Sequence, residues 1–221
     1  VLFHMDKIDE VVFQYIKSVY DTVLLKDIVG RNNIRNISLL EKLSKYLFDN
    51  IGHLLSANNI TKFLKSEKIK VYPDTIQNYL GYFTSAYIAH KVERFDIKGK
   101  KILSINEKYY LNDIGLRHAL LGYKPNDIGQ LLENIVYLEL RTRGYTVSVG
   151  VFGEHEIDFI ATKNDERIYI QVAYLLASEE TIKREFQSLL KINDNYPKMV
   201  LSMDDKLWGN DIDGIKRYNI I

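Results

Sequence analysis

Residues 153–174 read "GEHEIDFIATKNDERIYIQVAY". Within this stretch "HEIDFIAT" and "RIYIQVAYL" alternate apolar and polar positions and predict two β-strands. Alternation places Asp158 on one face with Glu156 and Ile160, opposite Ile157 and Phe159. Gln171 falls on the same side of its strand as Tyr169 and Ala173. An acid thus ends one apolar run and an amide interrupts the next. Working outward, "YTVSVGVF" is a third strand, and before it "IGQLLENIVYLELRTRG" predicts a helix that stops at Gly144, with Arg141 and Arg143 suiting its last turn. Glu133 projects from a part of that helix otherwise apolar at Leu132, Val136 and Leu140. After the strands come a helix, "SEETIKREFQSLLKI", a short strand, "KMVLSM", and a final "IKRYNII". Helix, three strands, helix and strand make a mixed α/β domain over residues 125–221.

The front of the chain has a different rhythm. From Ile8 to Val29, apolar residues recur three and four apart at Val12, Tyr15, Ile16, Val19 and Val23, the mark of an amphipathic helix. "GRNNIRN" breaks it, so residues 1–37 form an N-terminal helical segment. Ser38 followed three residues later by Glu41 reads as a capping box for "LLEKLSKYLFDNIGHLL". Ser56 can cap "ANNITKFLKSE", and Asp74 or Thr75 can cap "DTIQNYLGYFTSAYIAHKV". Two strand-like runs, "AHKVERF" and "KKILSINEKYYL", follow around "DIKGK", whose glycine is expected to make the turn. Asp113 can cap "IGLRHALLG", and "YKPND" reads as the joint between domains. Three helices and a hairpin over residues 38–124 are the winged-helix arrangement, whose last helix can enter a DNA major groove while the hairpin reaches the backbone. Gln77 and Asn78 lie early in that helix, where polar side chains can bond base edges. Lys98, Lys100 and Lys101 crowd the hairpin tip, where solvent or phosphate relieves their repulsion. Tyr79, Tyr82 and Phe83 are expected in the core.

Bulk composition narrows the function class. The chain has 221 residues, 46% of them hydrophobic, and a formal charge of +1. Residues 1–128 carry 19 Lys+Arg against 14 Asp+Glu, and the remainder 11 against 15. A basic front suits an anionic partner and an acidic back suits a carboxylate cluster. There is no cysteine, which excludes a thiol nucleophile and a Cys-based zinc site and fits a reducing, cytoplasmic setting. No apolar run approaches the roughly 18 residues that span a bilayer. The opening "VLFHMDKIDE" lacks the basic region and cleavage site of a signal peptide and reads as a start part-way along a longer protein.

Magnesium-dependent phosphodiester hydrolysis needs oxygen ligands at about 2.1 Å and a group that orients water. Glu133, Asp158 and Gln171 are the candidate metal ligands and catalytic residues, for Mg²⁺ or Mn²⁺. A glutamate on a first helix, an aspartate at a strand end and a Glu/Gln-x-Lys tripeptide on the next strand is a pattern that resembles the PD-(D/E)XK nuclease superfamily. Most of the chain, through "LLKDIVGRNNIRN", "FDNIGHLLSANNITKFLKSE", "DTIQNYLGYFTSAYIAHKVERFDIKGKK", "EKYYLNDIGLR", "LLENIVYLELRTRGY", "GEHEIDFIA" and "IYIQVAY", resembles the C-terminal half of prokaryotic AAA-type ATP-binding proteins. The resemblance implies a winged helix followed by a restriction-endonuclease-like α/β domain of unassigned function. It also implies an ATPase module as partner, and ATP as a ligand of the longer protein alone. No G-x-x-x-x-G-K-[ST] loop occurs in these residues.

Two positions depart from the superfamily pattern. Gln171 removes one negative charge from the expected metal site, although an amide oxygen can still coordinate. Ala173 stands where the lysine is expected, and loss of such an electrostatic contributor costs on the order of 10²- to 10³-fold in rate. Lys163 and Lys183 are the candidates to supply that charge from elsewhere. Glu156 is expected to be solvated or to pair with Arg141 or Arg143, and His155 to lie on the surface. The expectation is a nucleic-acid-engaging module of an AAA-type ATPase, with DNA as the outside partner and a degenerate or slow nuclease-like domain. The alternatives are an active Mg²⁺- or Mn²⁺-dependent deoxyribonuclease and a protein-interaction module that regulates or oligomerises the ATPase.

Overall fold

The computed structural model describes residues 9–204 and 211–221. Ile8, the expected first residue of the leading helix, lies outside them. The chain is mixed α/β and divides into two compact units, residues 1–91 with 109–124, and residues 92–108 with 125–221. The outer part of the hairpin belongs with the second unit.

In the first unit, α1 (Asp9–Thr22) runs into a π-helical stretch (Val23–Val29) and a last turn, α2 (Gly30–Asn32), closed by Asn33 in the left-handed region at φ 51°. Its buried seam is Ile16, Tyr20, Leu24 and Ile28. Each four-residue step overshoots an α-turn by roughly 40°, and the wider π-turns swing the seam back. The expected face was different: Tyr15 and Val19 are 51% and 40% exposed, because the helix carries two apolar stripes and only one is packed. The next helix, α3 (Ile37–Asp49), is capped by Asn36, whose side chain accepts from Leu39 N at 2.9 Å. The cap is therefore not Ser38, which lies inside the first turn.

After β1 (Leu54–Leu55), α4 (Ala57–Ser66) is capped by Ser56 Oγ, which accepts from Asn59 N at 3.2 Å. Neither Asp74 nor Thr75 caps α5 (Pro73–Ser85). It opens on proline at its first position with Tyr72 before it and no side-chain cap, since proline needs no donor partner and presets φ. Tyr79 and Phe83 are buried and Tyr82 half-buried. In α6 (Ile114–Leu121), Asp113 Oδ1 accepts from Gly115 N at 2.7 Å. Arg117, 1% exposed, donates from Nε to the Phe48 carbonyl at 2.9 Å.

The second unit is built on a mixed sheet. The strands are β2 (Ala89–Asp96), β3 (Lys101–Leu111), β4 (Thr146–Phe152), β5 (His155–Lys163), β6 (Glu166–Val172), β7 (Lys198–Ser202), β8 (Asp211–Ile212) and β9 (Ile215–Asn219). Their order is β3-β2-β4-β5-β6-β7-β9-β8. The outer hairpin is fastened here because Arg94–Asp96 pair in parallel with Val149–Val151. At its tip the left-handed residue is Lys100, φ 52°, not the glycine. A Cβ at Gly99 would press on the Asp96 carboxylate, which accepts from Gly99 N at 3.0 Å. Two helices pack on this sheet, α7 (Ile128–Thr142), entered through a 3-10 turn (Pro125–Asp127), and α8 (Glu179–Leu190), capped by Ser178. Phe186 and Leu189 of α8 share an apolar cluster with Ile157, Ile160, Tyr169, Ala173, Val200 and Ile215.

Candidate functional site

The register of β4 and β5 slips at one point. Ser148 faces Ile160 and Gly150 faces Ile157, so Asp158 and Phe159 together oppose Val149 alone. This is a β-bulge, and bulges re-aim side chains. Ile157 and Ile160 consequently enter the same apolar cluster beneath α8, and Phe159 approaches Tyr137 of α7 with ring centroids 6.3 Å apart. Simple alternation had put Ile160 with Asp158; the extra residue breaks that phase. Gly150 permits the bulge, because a Cβ there would stand 2.8 Å from Ile157 Cβ and 3.1 Å from Ile160 Cγ1.

The bulge also ends the ladder between β5 and β6, whose pairing closes at Phe159 and Ile170. Beyond it, side chains replace the backbone. Val172 N donates to Asp158 Oδ2 at 2.8 Å, and Asp158 N donates to Gln171 Oε1 at 3.3 Å. The aspartate and glutamine are thus each engaged with the other's strand, satisfying amide groups that would otherwise be buried without partners.

The other oxygen of Asp158 faces a lysine from a distant part of the sequence. Lys108, near the end of β3, has a side chain only 4% exposed, and its Nζ lies 2.8 Å from Glu156 Oε1, 3.3 Å from Glu133 Oε2 and 3.9 Å from Asp158 Oδ1. The ammonium stands among the carboxylates. Burial favours the neutral amine, but Glu133, Asp158 and Glu156 reverse that and raise the lysine above its ordinary value. Burial first, and Glu133 second, push the Asp158 carboxyl well above the usual carboxylate range; Lys108 and the Val172 amide pull it back, and Glu185 of α8 pushes it up again.

Glu133, Asp158 and Gln171 therefore converge, with Lys108 beside the two acids. Among the described residues no group of three or more histidine and acidic side chains is disposed to hold a metal ion. The residues present do not fit Mg²⁺ or Mn²⁺: a cation of the chain already contacts the carboxylates, and the glutamine oxygen accepts from a backbone amide. Ala173, at the expected lysine position, is buried in the apolar cluster. Neither substitute lysine reaches the site, since Lys163 donates to the Arg143 carbonyl at 2.9 Å and Lys183 is exposed on α8. Glu156 pairs with Lys108 rather than with Arg141 or Arg143, and Arg143 takes Glu139 at 2.7 Å instead. His155 Nε2 lies 2.6 Å from Lys191 Nζ.

Sequence reasoning missed Lys108. The one local signal was a lysine directly before the apolar run Tyr109–Leu111, and nothing in that spacing names its partners. The candidate nucleic-acid residues fall in different units. Gln77 and Asn78 are exposed on α5 of the first, while Lys98, Lys100 and Lys101 are exposed at the hairpin tip of the second. Among the described residues no helix is long and apolar enough to cross a membrane.

Residues 4–127 match the family model described as Domain of unknown function (DUF8612). The chain belongs to that family. The DUF8612 match takes in Lys108 and stops before Glu133, so the lysine and its carboxylates lie on opposite sides of its limit. Over 187 residues the chain is 38% identical to an uncharacterized protein of Haemophilus influenzae, covering 85% of this chain and 46% of that protein. Over 182 residues it is 31% identical to an uncharacterized protein of Methanocaldococcus jannaschii, covering 80% and 40%. The chain thus spans less than half the length of these relatives.

Proposed function

We propose that the chain is the nucleic-acid-engaging C-terminal part of an AAA-type ATPase, a winged helix followed by a nuclease-like domain whose would-be metal site is closed by its own lysine. The order helix, short strand, two helices and hairpin, from α3 through β3, supports the winged helix. The observation that carries the reading is the position of Lys108 Nζ within 4 Å of Glu133, Glu156 and Asp158. Two acids expected at a phosphodiesterase site, Glu133 and Asp158, lie beside this ammonium together with Glu156, and their charge is already answered. Such a domain retains the fold and the electrostatics of a nucleic-acid enzyme without the open coordination positions catalysis requires.

Exposed lysines on both units supply the attraction, through phosphate contacts that release counterions. The test is binding of a labelled DNA duplex at rising salt, paired with incubation of plasmid with Mn²⁺. Binding should weaken steeply with salt and the plasmid should stay intact. Absent or salt-independent binding refutes the nucleic-acid role. Cleavage that disappears in Asp158→Ala refutes the closed site.

A further inference from the structure

We propose that the cavity at the beginning of β7 and β9 is a nucleotide-binding pocket, which takes the base beside Tyr196 and the phosphate at Lys216. The cavity measures about 510 Å³, within the range of small-molecule sites, and its lining lies wholly in the second unit. The choice of a nucleotide rests on the nucleic-acid reading above and adds to it a site for a single nucleotide, one that does not involve Lys108 or its carboxylates.

The aromatic wall of this cavity is fixed before any ligand arrives. Tyr196 is 42% exposed, yet its ring is braced by neighbours. Arg167 Cζ lies 5.2 Å from its centroid and 5.2 Å from that of Phe95, and Tyr169 meets it edge-on at 6.3 Å. The loop that carries Tyr196 is held as firmly. Asp194 accepts from Tyr169 Oη at 2.6 Å with one carboxylate oxygen and from Tyr196 N at 3.2 Å with the other, while Lys198 Nζ donates to the Asp194 carbonyl at 2.8 Å. Asp194 and Lys198 are thereby committed to the loop, and a wall ordered in advance lowers the entropy cost of binding.

The remaining groups select the occupant. Ile192, Met199 and Ile215 give the cavity an aliphatic lining, against which a planar ring can lie beside Tyr196. Lys216 is exposed on β9, and among the described residues it forms no ion pair, even with Asp211 opposite it in the β8–β9 ladder. Asp213, exposed in the turn between those strands at φ 51°, is the acid of the lining that the loop does not use. An available ammonium and an available carboxylate call for a ligand that carries an anion at one end and O–H or N–H donors at the other. A nucleotide has both, on its phosphate and on its sugar and base, together with the ring. Inorganic phosphate lacks the ring, and an apolar ligand leaves both charges unanswered. Repulsion from Asp213 also orients the ligand, turning its phosphate toward Lys216.

The experiment titrates the whole chain with adenosine monophosphate, read by calorimetry and saturation-transfer NMR, with adenosine and inorganic phosphate as comparisons. The nucleotide should bind at least about tenfold more tightly than either. Lys216→Ala should weaken the nucleotide at least about fivefold and leave adenosine unchanged, because only the phosphate contact is lost. Tyr196→Ala should weaken nucleotide and adenosine alike by about tenfold, and Tyr196→Phe, which keeps the ring, should restore both. Asp213→Gly keeps the left-handed turn and should weaken the nucleotide about threefold, so the proposal stays testable if Tyr196→Ala fails to fold. Inorganic phosphate binding as tightly as the nucleotide, or nucleotide binding indifferent to both Lys216→Ala and Asp213→Gly, overturns the pocket. A Kd weaker than about 10 mM overturns it too. Competition by a strand with a terminal phosphate, but not by the same strand without one, identifies the occupant as a strand end; nucleotide binding without that competition identifies it as a free nucleotide, and either result supports the pocket. Nucleotide binding without salt-dependent duplex binding sinks the nucleic-acid reading and keeps the pocket, and duplex binding without nucleotide binding does the reverse.

Discussion

Replacing Lys108 by methionine keeps most of the side-chain volume and removes the charge around which Glu133, Glu156 and Asp158 gather. At 2.8, 3.3 and 3.9 Å, each attraction is about 4 to 6 kcal/mol at an effective dielectric near 20. The Glu156 term deserves a reduction, because that side chain is 34% exposed and screened by water. Against these stand the desolvation of the ammonium, several kcal/mol, and the mutual repulsion of the carboxylates. The net effect of deleting one partner of such a buried group is a loss of about 3 to 5 kcal/mol, because charge is left behind unanswered.

The pH dependence gives the stronger test. Lys108 is raised in the folded protein, so its contribution is complete below the unfolded lysine value of about 10.4 and is lost only as pH rises through the folded one. Asp158 is raised as well. Its carboxyl binds a proton more readily in the fold, so that contribution is complete below the unfolded value of about 3.9 and fades as pH climbs through the folded value. Without Lys108 one of the pulls that lower Asp158 is gone, and the carboxyl moves higher still. Lys108→Met should therefore be most costly at neutral to mildly alkaline pH and less so toward pH 5, as the Asp158 carboxyl takes up its proton. Urea unfolding followed by far-ultraviolet circular dichroism across that range measures it. A loss below about 1 kcal/mol, or one independent of pH, would refute a desolvated ion cluster.

Three further outcomes follow from particular contacts. Gly150→Ala should destabilise the second unit by about 1 to 3 kcal/mol, because the new methyl meets Ile157 and Ile160 at 2.8 and 3.1 Å; urea unfolding checks it. Gln171→Glu puts a further negative charge beside Asp158; stability should fall on the order of 1 kcal/mol at mildly alkaline pH and recover on acidification, as thermal melts in matched buffers would report. Asp113→Ala removes the cap that accepts from Gly115 N and should cost about 1 kcal/mol, seen as earlier unfolding of the first unit in amide hydrogen exchange.

Sequence alone located most helices and strands because their signals are local: apolar period, a cap, a breaker. It went astray where two local signals competed. Asn36 before Leu39 and Ser38 before Glu41 both match a helix start, and only the geometry of the turn selects Asn36. The first helix offers two apolar stripes, and the choice of Ile16, Tyr20, Leu24 and Ile28 depends on what lies across from them and on a run of π-turns. The bulge at Asp158 and Phe159 was beyond period-two reasoning, since one inserted residue reverses the face of everything after it.

The candidate site was legible in its acids and illegible in its base. Glu133, Glu156 and Asp158 lie within 26 residues of one another, on α7 and on β5, the second strand after it, so their convergence is an expectation of the topology. Lys108 precedes Glu133 by 25 positions and arrives through the hairpin, by way of the parallel pairing of Arg94–Asp96 with Val149–Val151. No spacing rule at the acids could have predicted it, because the information resides in how the hairpin is fastened to the sheet. Position 173, where a lysine was expected, is an alanine packed into the apolar cluster. A lysine there would have to bury a second charge among Ile157, Ile160 and Phe186.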